Sequence, residues 1–544
     1  MIARGLALLL LAACSREGAT DESDTCDERA PCTYYVSARG DDGQPGTSEA
    51  LAWRTLERVN HHAFGPGTSI MLAGGESFRG SLRFDEGDRG SAAAPLHLAS
   101  FGRGRARIDA GAGTAITLEN TAGIVIEDLI LQGAWDPAAQ SGNAGHGVLA
   151  RNTLGGGRRL AHVRVSRLEV SGFRSSGMTF LAAPPDDSKR AGFEDVVLAD
   201  SEVHDNGDCG VTTQGPFTQD AGYSHAAFEL RGLEVYNQRG LRQHGRHTGS
   251  GIELADVDVA RVERCVVHDN GEFNDHAQGG SYGIWAWDAN AVVIARNESY
   301  ANKSRTADGG GFDLDGGVTR SRLEYNYSHD NQGAGYGAFQ FAGARPFAGN
   351  EARYNITQND GVGMLLWDGN GDMGSFDAYQ NVSYGHGAAV VSYSAVPGVR
   401  LFNNIFTSVG EHLLKLAAGA ELTLHGNDYW SYAAPFKLSW NGDGAQAREV
   451  ESLDAFRAAT GHESIDMRAT GQQVDPFLRA PGAGPTLGDP ERLASLTMYQ
   501  LAADSPLIDA GVDLRGFGLA PAELDFFGGS VPRGAFDVGV YEAQ

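Results

Sequence analysis

Short apolar runs recur through the middle of the chain, each three to five residues long and closed by Asn, Asp or Gly. Eight of these runs align with one another at intervals of 32, 32, 32, 29, 29, 26 and 23 residues: His204, Tyr236, His268, Tyr300, His329, Gln358, Tyr384 and Thr407. A drifting period of this length predicts stacked repeats that share one core. No 3.6-residue periodicity spans the runs, so we predict strands and turns, and an all-β fold. The pattern predicts a solenoid of the parallel β-helix type.

A second series of strands lies between these runs, at 252–256, 284–288, 312–316, 338–342 and 364–368. Side chains alternate between the two faces of a strand, so burial of one set leaves the other outside. If Ile252, Ile284, Phe312 and their partners two residues on face the core, the next residues face outward. The predicted outer residues are Glu253, Ala255, Trp285, Trp287, Asp313, Asp315, Phe339, Phe341, Leu365 and Trp367.

Both ends of the chain differ from the repeats. A basic start and a short apolar run end in Leu11-Ala12-Ala13-Cys14, which resembles a bacterial lipoprotein signal with a lipid on Cys14. The alternative is an ordinary secretory peptide. We predict a signal peptide at 1–13, a tether at 14–32, and an N-terminal strand and cap at 33–68 with a short helix within 53–62. Coils are predicted at 69–430, and further coils with a C-terminal cap, including a helix at 452–459, at 431–544.

Composition restricts the partners. The net charge of -26 argues against nucleic acid and anionic lipid as non-specific partners, so any membrane contact is expected through the N-terminal lipid alone. Ser15 after Cys14 favours the outer membrane, facing the periplasm or the cell surface. We expect a monomer. Cys26 and Cys32 are close enough in sequence for a disulfide in an oxidising compartment, and Cys209 and Cys265 are expected as buried free thiols.

The outer residues predict a glycan-binding groove. Aromatic faces stacked coil upon coil suit the apolar faces of sugar rings, which makes Trp285, Trp287, Phe339, Phe341 and Trp367 candidate platforms. The alternative is that the segment 219–250, interpreted as an insertion, covers these rings and turns them into a second small core.

Asp313 and Asp315 stand two residues apart on one strand face, about 6.5 to 7 Å from each other, with Glu253 two coils away. Such carboxylates could bind calcium, which prefers oxygen ligands. They could instead be the acid and base of an inverting glycosidase, for which separations of about 6.5 to 9.5 Å are typical. They could also cap turns, which is the favoured interpretation for Asp256, Asp288 and Asp368.

Basic residues concentrate in the segment before Ile252: Arg239, Arg242, His244, Arg246 and His247. The last four are candidate bases or charge-neutralising groups for β-elimination of a uronate, and a solvated loop is the alternative. Lys303 and Arg305 are further candidate substrate ligands. The repeated histidines His204, His268 and His329 are expected to be stacked turn residues.

The segment from Asp308-Gly-Gly-Gly-Phe312-Asp313 to Gly317, followed by 325–331, resembles secreted right-handed β-helix proteins of the pectate-lyase-like superfamily. It is similar to polysaccharide lyase family nine, in which an Asp-Asp-Gly-aromatic-Asp run binds calcium. The resemblance implies Ca²⁺ bound by Asp308, Asp313 and Asp315, although Gly309 and Gly310 replace the acidic pair. Gly385-His386-Gly387 resembles a histidine motif of β-helix polygalacturonases.

Together these features predict a right-handed parallel β-helix that acts on a polysaccharide. A lyase that cleaves a uronate-containing glycan by β-elimination is the favoured hypothesis. A glycoside hydrolase that uses the same groove, and a glycan-binding protein without activity, are the alternatives.

Overall fold

The computed structural model describes residues 31–543, with gaps at 188, 370, 411, 418–420, 434 and 442–446. The predicted signal peptide, lipidated Cys14 and Cys26 lie outside the described residues. Cys32 is disulfide-bonded, whereas Cys209 and Cys265 are free and buried, as predicted.

Within the described residues, the chain winds through three long sheets and adds one strand to each sheet per coil. Sheet 1 consists of Thr33–Val36, Ser69–Ala73, Leu96–Phe101, Ile124–Glu127, Leu160–Ser166, Phe193–Ala199, His225–Arg231, Val257–Glu263, Asn290–Ala295, Arg322–Glu324, Asn350–Arg353, Phe376–Tyr379, Val399–Phe402 and Thr423–His425. Sheet 2 consists of Ser77–Arg79, Ala106–Gly111, Leu129–Gly133, Glu169–Ser171, Glu202–His204, Glu234–Tyr236, Val266–His268, Glu298–Tyr300, Tyr327–His329, Ile356–Gln358, Val382–Tyr384, Ile405–Ser408 and Asp428–Ser431.

Sheet 3 completes each coil and carries the predicted outer residues. Its strands are Leu82–Phe84, Ile116–Glu119, Val148–Asn152, Met178–Ala182, Cys209–Gln214, Ser250–Ala255, Tyr282–Trp287, Gly310–Leu314, Ala334–Gln340, Val362–Asp368, Val390–Ser392, Leu414–Leu416, Leu438–Trp440 and Arg448–Val450. The strands pair in parallel except for the last, which is antiparallel to its neighbour. The predicted parallel β-helix is therefore the observed architecture.

One side chain from each sheet fills each layer of the core. In a central coil these are Ile252, Val262 and Val267, all fully buried. The aligned positions of the sequence repeat fall in one register along sheet 2, where His204, Tyr236, His268 and Tyr300 stack with ring centroids 4.6–5.0 Å apart. His204 and His268 hydrogen-bond to the aspartate that follows each of them. These histidines are structural, as predicted.

A ladder of buried asparagines runs between sheets 1 and 2. Each side-chain oxygen accepts from the backbone N–H and side-chain amide of the asparagine one coil before, as Asn355 does from Asn326 at 3.0 Å. The ladder ends where Asn427 donates to Glu463, which is fully buried. Burial raises the pKa of Glu463 to about 7, against the lowering effect of its hydrogen bonds from Asn427 and Tyr429.

Both ends of the core are closed by helices. Leu56–Asn60 buries Leu56 and Val59 at the first coils, and Leu453–Thr460 buries Leu453 and Phe456 at the last. Both lie within a few residues of their predicted positions. Short 3-10 turns are found at Glu49–Leu51, Pro490–Ser495, Thr497–Tyr499 and Leu514–Phe517, and Ser464–Ile465 pairs with Arg468–Ala469.

The C-terminal tail packs along sheet 2 beside the later coils. The Tyr499 hydroxyl donates to the side-chain oxygen of Gln358 at 2.7 Å, and the backbone N–H of Leu487 donates to Glu298 at 2.6 Å. Leu507, Val538 and other tail residues share a core with the outer face of sheet 2. In the described part of the chain, no helix has the length and apolar character needed to cross a membrane.

Candidate functional site

The outer face of sheet 3 brings together most of the chemistry-bearing residues that the sequence predicts. Ile252, Ile284, Phe312 and Met364 occupy one register and point into the core, as predicted. The next register outward contains Glu253, Trp285, Asp313, Gly337 and Leu365. Two residues further on, Ala255 pairs with Trp287, and Phe339 pairs with Trp367. Asp315 follows the strand end and continues the ladder, with its N–H bonded to the Ala286 carbonyl.

The predicted position of one aromatic pair was wrong by two residues. Phe339 lies in the register of Trp367, and Gly337 takes the place beside Asp313. Phe341 therefore lies beyond the strand, where its ring covers Gly316 and stands 6.3 Å from the Trp287 ring. A slip of two residues keeps every side chain on the same face, so alternation alone does not reveal it.

Asp313 is the most deeply buried carboxylate of this face. It is 2% exposed, and its Oδ1 has no hydrogen-bond partner among the described residues. Burial raises the pKa of Asp313 well above its usual range, and the charges of Asp315 and Asp308 raise it further. A Cβ at Gly337 would lie 2.9 Å from Oδ1 of Asp313, so the glycine leaves room beside this oxygen.

Asp315 lies closer to solvent than Asp313 and is only half-buried. Its Oδ1 accepts the N–H of Gly316 at 2.6 Å. Burial raises the pKa of Asp315 to about 7, the Gly316 hydrogen bond opposes the shift, and the charges of Asp308 and Glu253 add to it. No cationic side chain contributes to this shift. Asp315 is therefore partly protonated near neutral pH, at a position that is half-exposed.

Asp308 completes the group from the loop that precedes Gly310–Leu314. It is half-buried, and its Oδ2 accepts the N–H of Gly280 at 2.7 Å. Burial raises the pKa of Asp308, while the Gly280 hydrogen bond and His247 lower it. Because the charge of Asp308 shifts the pKa of both Asp313 and Asp315, the three carboxylates form one electrostatic group. The sequence indicated Asp308 only through the calcium motif that it resembles.

Glu253 holds an aromatic ring in place. Its Oε1 accepts from Nε1 of Trp287 at 3.1 Å, and its Oε2 accepts from the Cys209 thiol at 3.3 Å. The side chain is 5% exposed, so a ligand has little access to it. This environment fits a positioning residue better than the catalytic or calcium-binding role expected from sequence.

The prediction of an exposed aromatic row was wrong for two of its members. Trp285 is 4% exposed, donates from Nε1 to Ser250, and is covered by the His247 ring at 5.2 Å. Phe339 is 8% exposed. Both belong to a small second core on the outer face, with Tyr282, Leu365 and Val391. Trp287, Phe341 and Trp367 remain accessible, and Trp367 is 38% exposed.

The segment 219–250 is not a single insertion, because it contains the regular strands His225–Arg231 and Glu234–Tyr236. Two loops flank these strands, 215–224 after sheet 3 and 237–249 before it. The first places Phe217, which is 46% exposed, 5.7 Å from the Trp287 ring and 6.1 Å from the Phe341 ring. Sequence analysis did not identify Phe217, because it lies in no repeat or motif.

Buried ion pairs fix the loop 215–224. Nζ of Lys189 lies 2.9 Å from Oδ1 of Asp256 and also binds the carbonyl of Pro216. Arg345 pairs with Asp288 and donates to the carbonyl of Gly222 at 2.7 Å. Asp256 and Asp288 have φ of 55° and 46°, so they occupy left-handed turn positions and act structurally, as predicted.

The basic segment before Ile252 divides into two parts. Arg246 pairs with Asp208, and His247 faces the groove with Nδ1 unpartnered and its pKa lowered by burial. Nδ1 of His244 is likewise buried and unpartnered. Arg242 instead contacts Phe273, with its guanidinium 4.1 Å from the ring centroid.

The other two basic candidates are Arg305 and Lys303. The guanidinium of Arg305 lies 5.2 Å from the centroid of the same Phe273 ring, and Lys303 is exposed. Neither side chain contributes to the pKa shifts of Asp308, Asp313 or Asp315. The role of Arg242, Lys303 and Arg305 as substrate ligands stays a prediction, and the structure separates Arg242 and Arg305 from the carboxylates electrostatically.

The carboxylates do not form a recognisable metal site. Among the described residues, no three His, Cys, Asp or Glu side chains are close enough together to hold a metal ion. Asp308, Asp313 and Asp315 influence one another electrostatically but do not form such a group, so this donor set does not fit the predicted calcium.

Comparison with known proteins supports the fold. A family model described as right handed beta helix region matches residues 221–382. A curated lacto-N-biosidase from Bifidobacterium longum subsp. longum is 24% identical over 641 residues, which is 99% of this chain but 38% of the relative. The chain thus spans less than half the length of that curated relative.

Solved structures show the same architecture. The native GH136 lacto-N-biosidase from Eubacterium ramulus superposes with a TM-score of 0.51 and 20% identity, over 68% of this chain and 65% of that chain. XylC in complex with xylose superposes with a TM-score of 0.52 and 10% identity, over 94% and 98% of the two chains. The chain has the right-handed parallel β-helix fold that its sequence predicted.

Proposed function

We propose that this protein is a glycoside hydrolase that binds a glycan in the sheet 3 groove and cleaves it between Asp315 and Asp308. Asp315 is the general acid, and Asp308 is the carboxylate that attacks the sugar or activates water. The observation that carries the proposal is the half-buried Asp315, whose pKa of about 7 leaves it partly protonated near neutrality without any cationic partner. Glycosidases commonly use such a pair of carboxyl groups with opposite protonation.

Accessibility favours Asp308 over Asp313 as the second carboxylate. A group that meets substrate must be reached by it, and Asp313 is 2% exposed while Asp308 is half-buried at the rim. The Gly280 N–H stabilises the charged form of Asp308, and the nearby His247 does the same. Asp313 then acts indirectly, as a buried carboxyl group next to the reacting pair whose raised pKa favours its neutral form.

The aromatic corner of Phe217, Trp287 and Phe341 supplies the sugar platform next to Asp315. Phe341 covers Gly316, the residue after Asp315, so a sugar stacked on this corner lies beside the acid. The similarity to proteins named lacto-N-biosidase, whose name and GH136 family denote a glycoside hydrolase, supports the same reaction class. The substrate we propose is a polysaccharide or oligosaccharide that extends along the coils.

The β-elimination favoured by the sequence stays as a second candidate because of one residue. His247 is a buried imidazole that lies near Asp308, keeps Nδ1 unpartnered, and has a pKa lowered by burial. A neutral imidazole can act as a base. Elimination from a uronate also needs a cation to neutralise the substrate carboxylate, and the nearest candidate, Arg246, is paired with Asp208. The hydrolase is therefore the better-supported function.

The lipid anchor at Cys14 and an outer-membrane location belong to the same proposal, with the groove presented to glycans in the periplasm or outside the cell. Replacing Cys14 with Ser should abolish labelling by radioactive palmitate and release the protein from membranes. Membrane retention of that variant would contradict the anchor.

Release of reducing ends from a panel of oligosaccharides, with ultraviolet absorbance followed in parallel, tests the reaction. Asp315→Asn and Asp308→Asn should each lower kcat by about 10²-fold or more. The matched control is Asp200→Asn, which changes an exposed carboxylate on a turn with φ 48° that Asn also adopts. A chelator should leave the rate unchanged. Full activity of Asp315→Asn would overturn the assignment, and new ultraviolet absorbance would favour the lyase.

A further inference from the structure

Three arginines surround one buried aromatic ring on the rim that carries Asp308. The Phe273 ring is 6% exposed, and the guanidinium carbons of Arg239, Arg242 and Arg305 lie 4.7, 4.1 and 5.2 Å from its centroid. These residues come from three successive loops before sheet 3: 237–249, 269–281 and 301–309. A guanidinium that stacks on a ring is held by its face, so its N–H edge stays available to a ligand.

Most donors of this cluster are not used by the protein. Arg242 is exposed and makes one long side-chain contact, from Nη1 to the Ala138 carbonyl at 3.4 Å. Arg305 is exposed and donates only from Nε, to the Glu272 carbonyl at 3.1 Å. The third arginine, Arg239, is paired with the Glu272 carboxylate. Two stacked guanidinium forks therefore face solvent with free N–H groups among the described residues.

Basic side chains cluster around Phe273, although the protein as a whole is acidic. The chain carries a net charge of -26. Arg242 and Arg305 share the Phe273 ring, and the exposed Lys303 lies two residues before Arg305. In the described part of the structure, none of the three forms an ion pair with an acidic side chain. The neighbouring Asp275 accepts a backbone N–H from Gln243 at 2.7 Å. A local positive patch on an acidic protein attracts an anion to that patch alone.

The patch lies near the proposed reaction centre but outside it. Arg305 precedes Asp308 by three residues, a span of at most about 10 Å. None of the three arginines contributes to the raised pKa of Asp308, for which burial is the main cause. The patch is therefore placed to bind a part of the substrate away from the reacting bond.

We propose that the patch of Arg242, Arg305 and Lys303 binds an anionic group, a carboxylate or a sulfate, on a sugar neighbouring the one that is cleaved. The proposal rests on the proposed function, because it names the substrate class of the same groove as an acidic glycan. The planar forks of the two arginines match the paired oxygens of either anion, and the stacking on Phe273 preorganises them.

The test uses two pairs of oligosaccharides. The members of each pair differ only in one acidic sugar substituent, which is a carboxylate in one pair and a sulfate in the other. For the wild-type protein, kcat/KM should be at least about tenfold higher for the acidic member, and the preference should fall with added salt. Arg242→Gln with Arg305→Gln should abolish the preference by lowering kcat/KM for the acidic member to about the value for the neutral member. Arg79→Gln with Arg103→Gln, a double change of the same charge at exposed sites elsewhere, should retain it.

Equal rates for the neutral and acidic members, or a preference that survives the double substitution, would overturn the proposal. Calorimetry that measures the binding of both members of a pair to Asp315→Asn distinguishes failure of the anion-binding patch from failure of the proposed hydrolase. Arginine-dependent binding of the acidic member without cleavage by the wild-type protein would support the patch and refute the hydrolase. Cleavage without any such preference would do the reverse.

Discussion

The pKa of Asp315 is the property on which the proposed chemistry most depends, and Glu253→Gln perturbs it without touching the acid. Glu253 lies two coils from Asp313 and Asp315 is two residues further on, so Glu253 and Asp315 are about 12 Å apart at ~4.8 Å per coil and ~3.3 Å per residue. The charge of Glu253 is one cause of the raised pKa of Asp315. At an effective dielectric constant of about 20, one unit charge at this distance is worth roughly 1.4 kcal/mol, or about one pH unit. The amide retains an oxygen for the Nε1 hydrogen bond of Trp287.

The assay is the dependence of kcat/KM on pH. A general acid works in its protonated form, so the wild-type rate should fall as pH rises through about 7, from about nine-tenths of its maximum at pH 6 to about one-tenth at pH 8. In Glu253→Gln this alkaline limb should move about one unit lower. Glu229→Gln removes an equal charge on sheet 1 and should leave the limb in place. An unmoved limb in Glu253→Gln, or an equal shift in both variants, would refute the assignment of Asp315.

Three further predictions concern the platform and the framework. Phe217→Ala should raise KM several-fold with little change in kcat or melting temperature, because the ring is 46% exposed; a fall in kcat alone would contradict its role as a platform. Lys189→Met should lower the free energy of unfolding, measured with denaturant, by about 3–5 kcal/mol, because it leaves the buried Asp256 without its cationic partner. Lys303→Met, at an exposed site, should lower it by less than about 0.5 kcal/mol. Because the pKa of Glu463 is raised to about 7, its contribution to the free energy of unfolding is complete below about pH 4.5 and is lost as pH rises through about 7, roughly 3 kcal/mol in all. Glu463→Gln should flatten this part of the curve of unfolding free energy against pH, and an unchanged slope would rule out the group.

The sequence predicted the fold because its signal is repeated in every coil. The aligned positions from His204 to Tyr384 each gave the same information, and all fall in one register of sheet 2. Alternation likewise identified the inward residues of sheet 3. It could not distinguish registers that differ by two residues, which is why Phe341 was misplaced.

The site was less predictable because loops complete it. Burial of Trp285 depends on where the loop 237–249 places His247, and the accessible carboxylate Asp308 lies in a loop that no periodicity describes. The separation of Arg242 from Arg246 follows from one aromatic ring, Phe273, in a neighbouring coil. Local sequence identifies such side chains as chemically interesting, but their grouping arises only from the stacking of coils.

Mass spectrometry of the products from one defined oligosaccharide tests the central claim most directly. Hydrolysis adds a water molecule across the cleaved bond, so the masses of the two products should sum to that of the substrate plus one water. Asp315→Asn should form the same products at least about 10²-fold more slowly. Product masses that sum to the substrate alone, with an unsaturated sugar in one fragment, would contradict hydrolysis and establish β-elimination in the same groove.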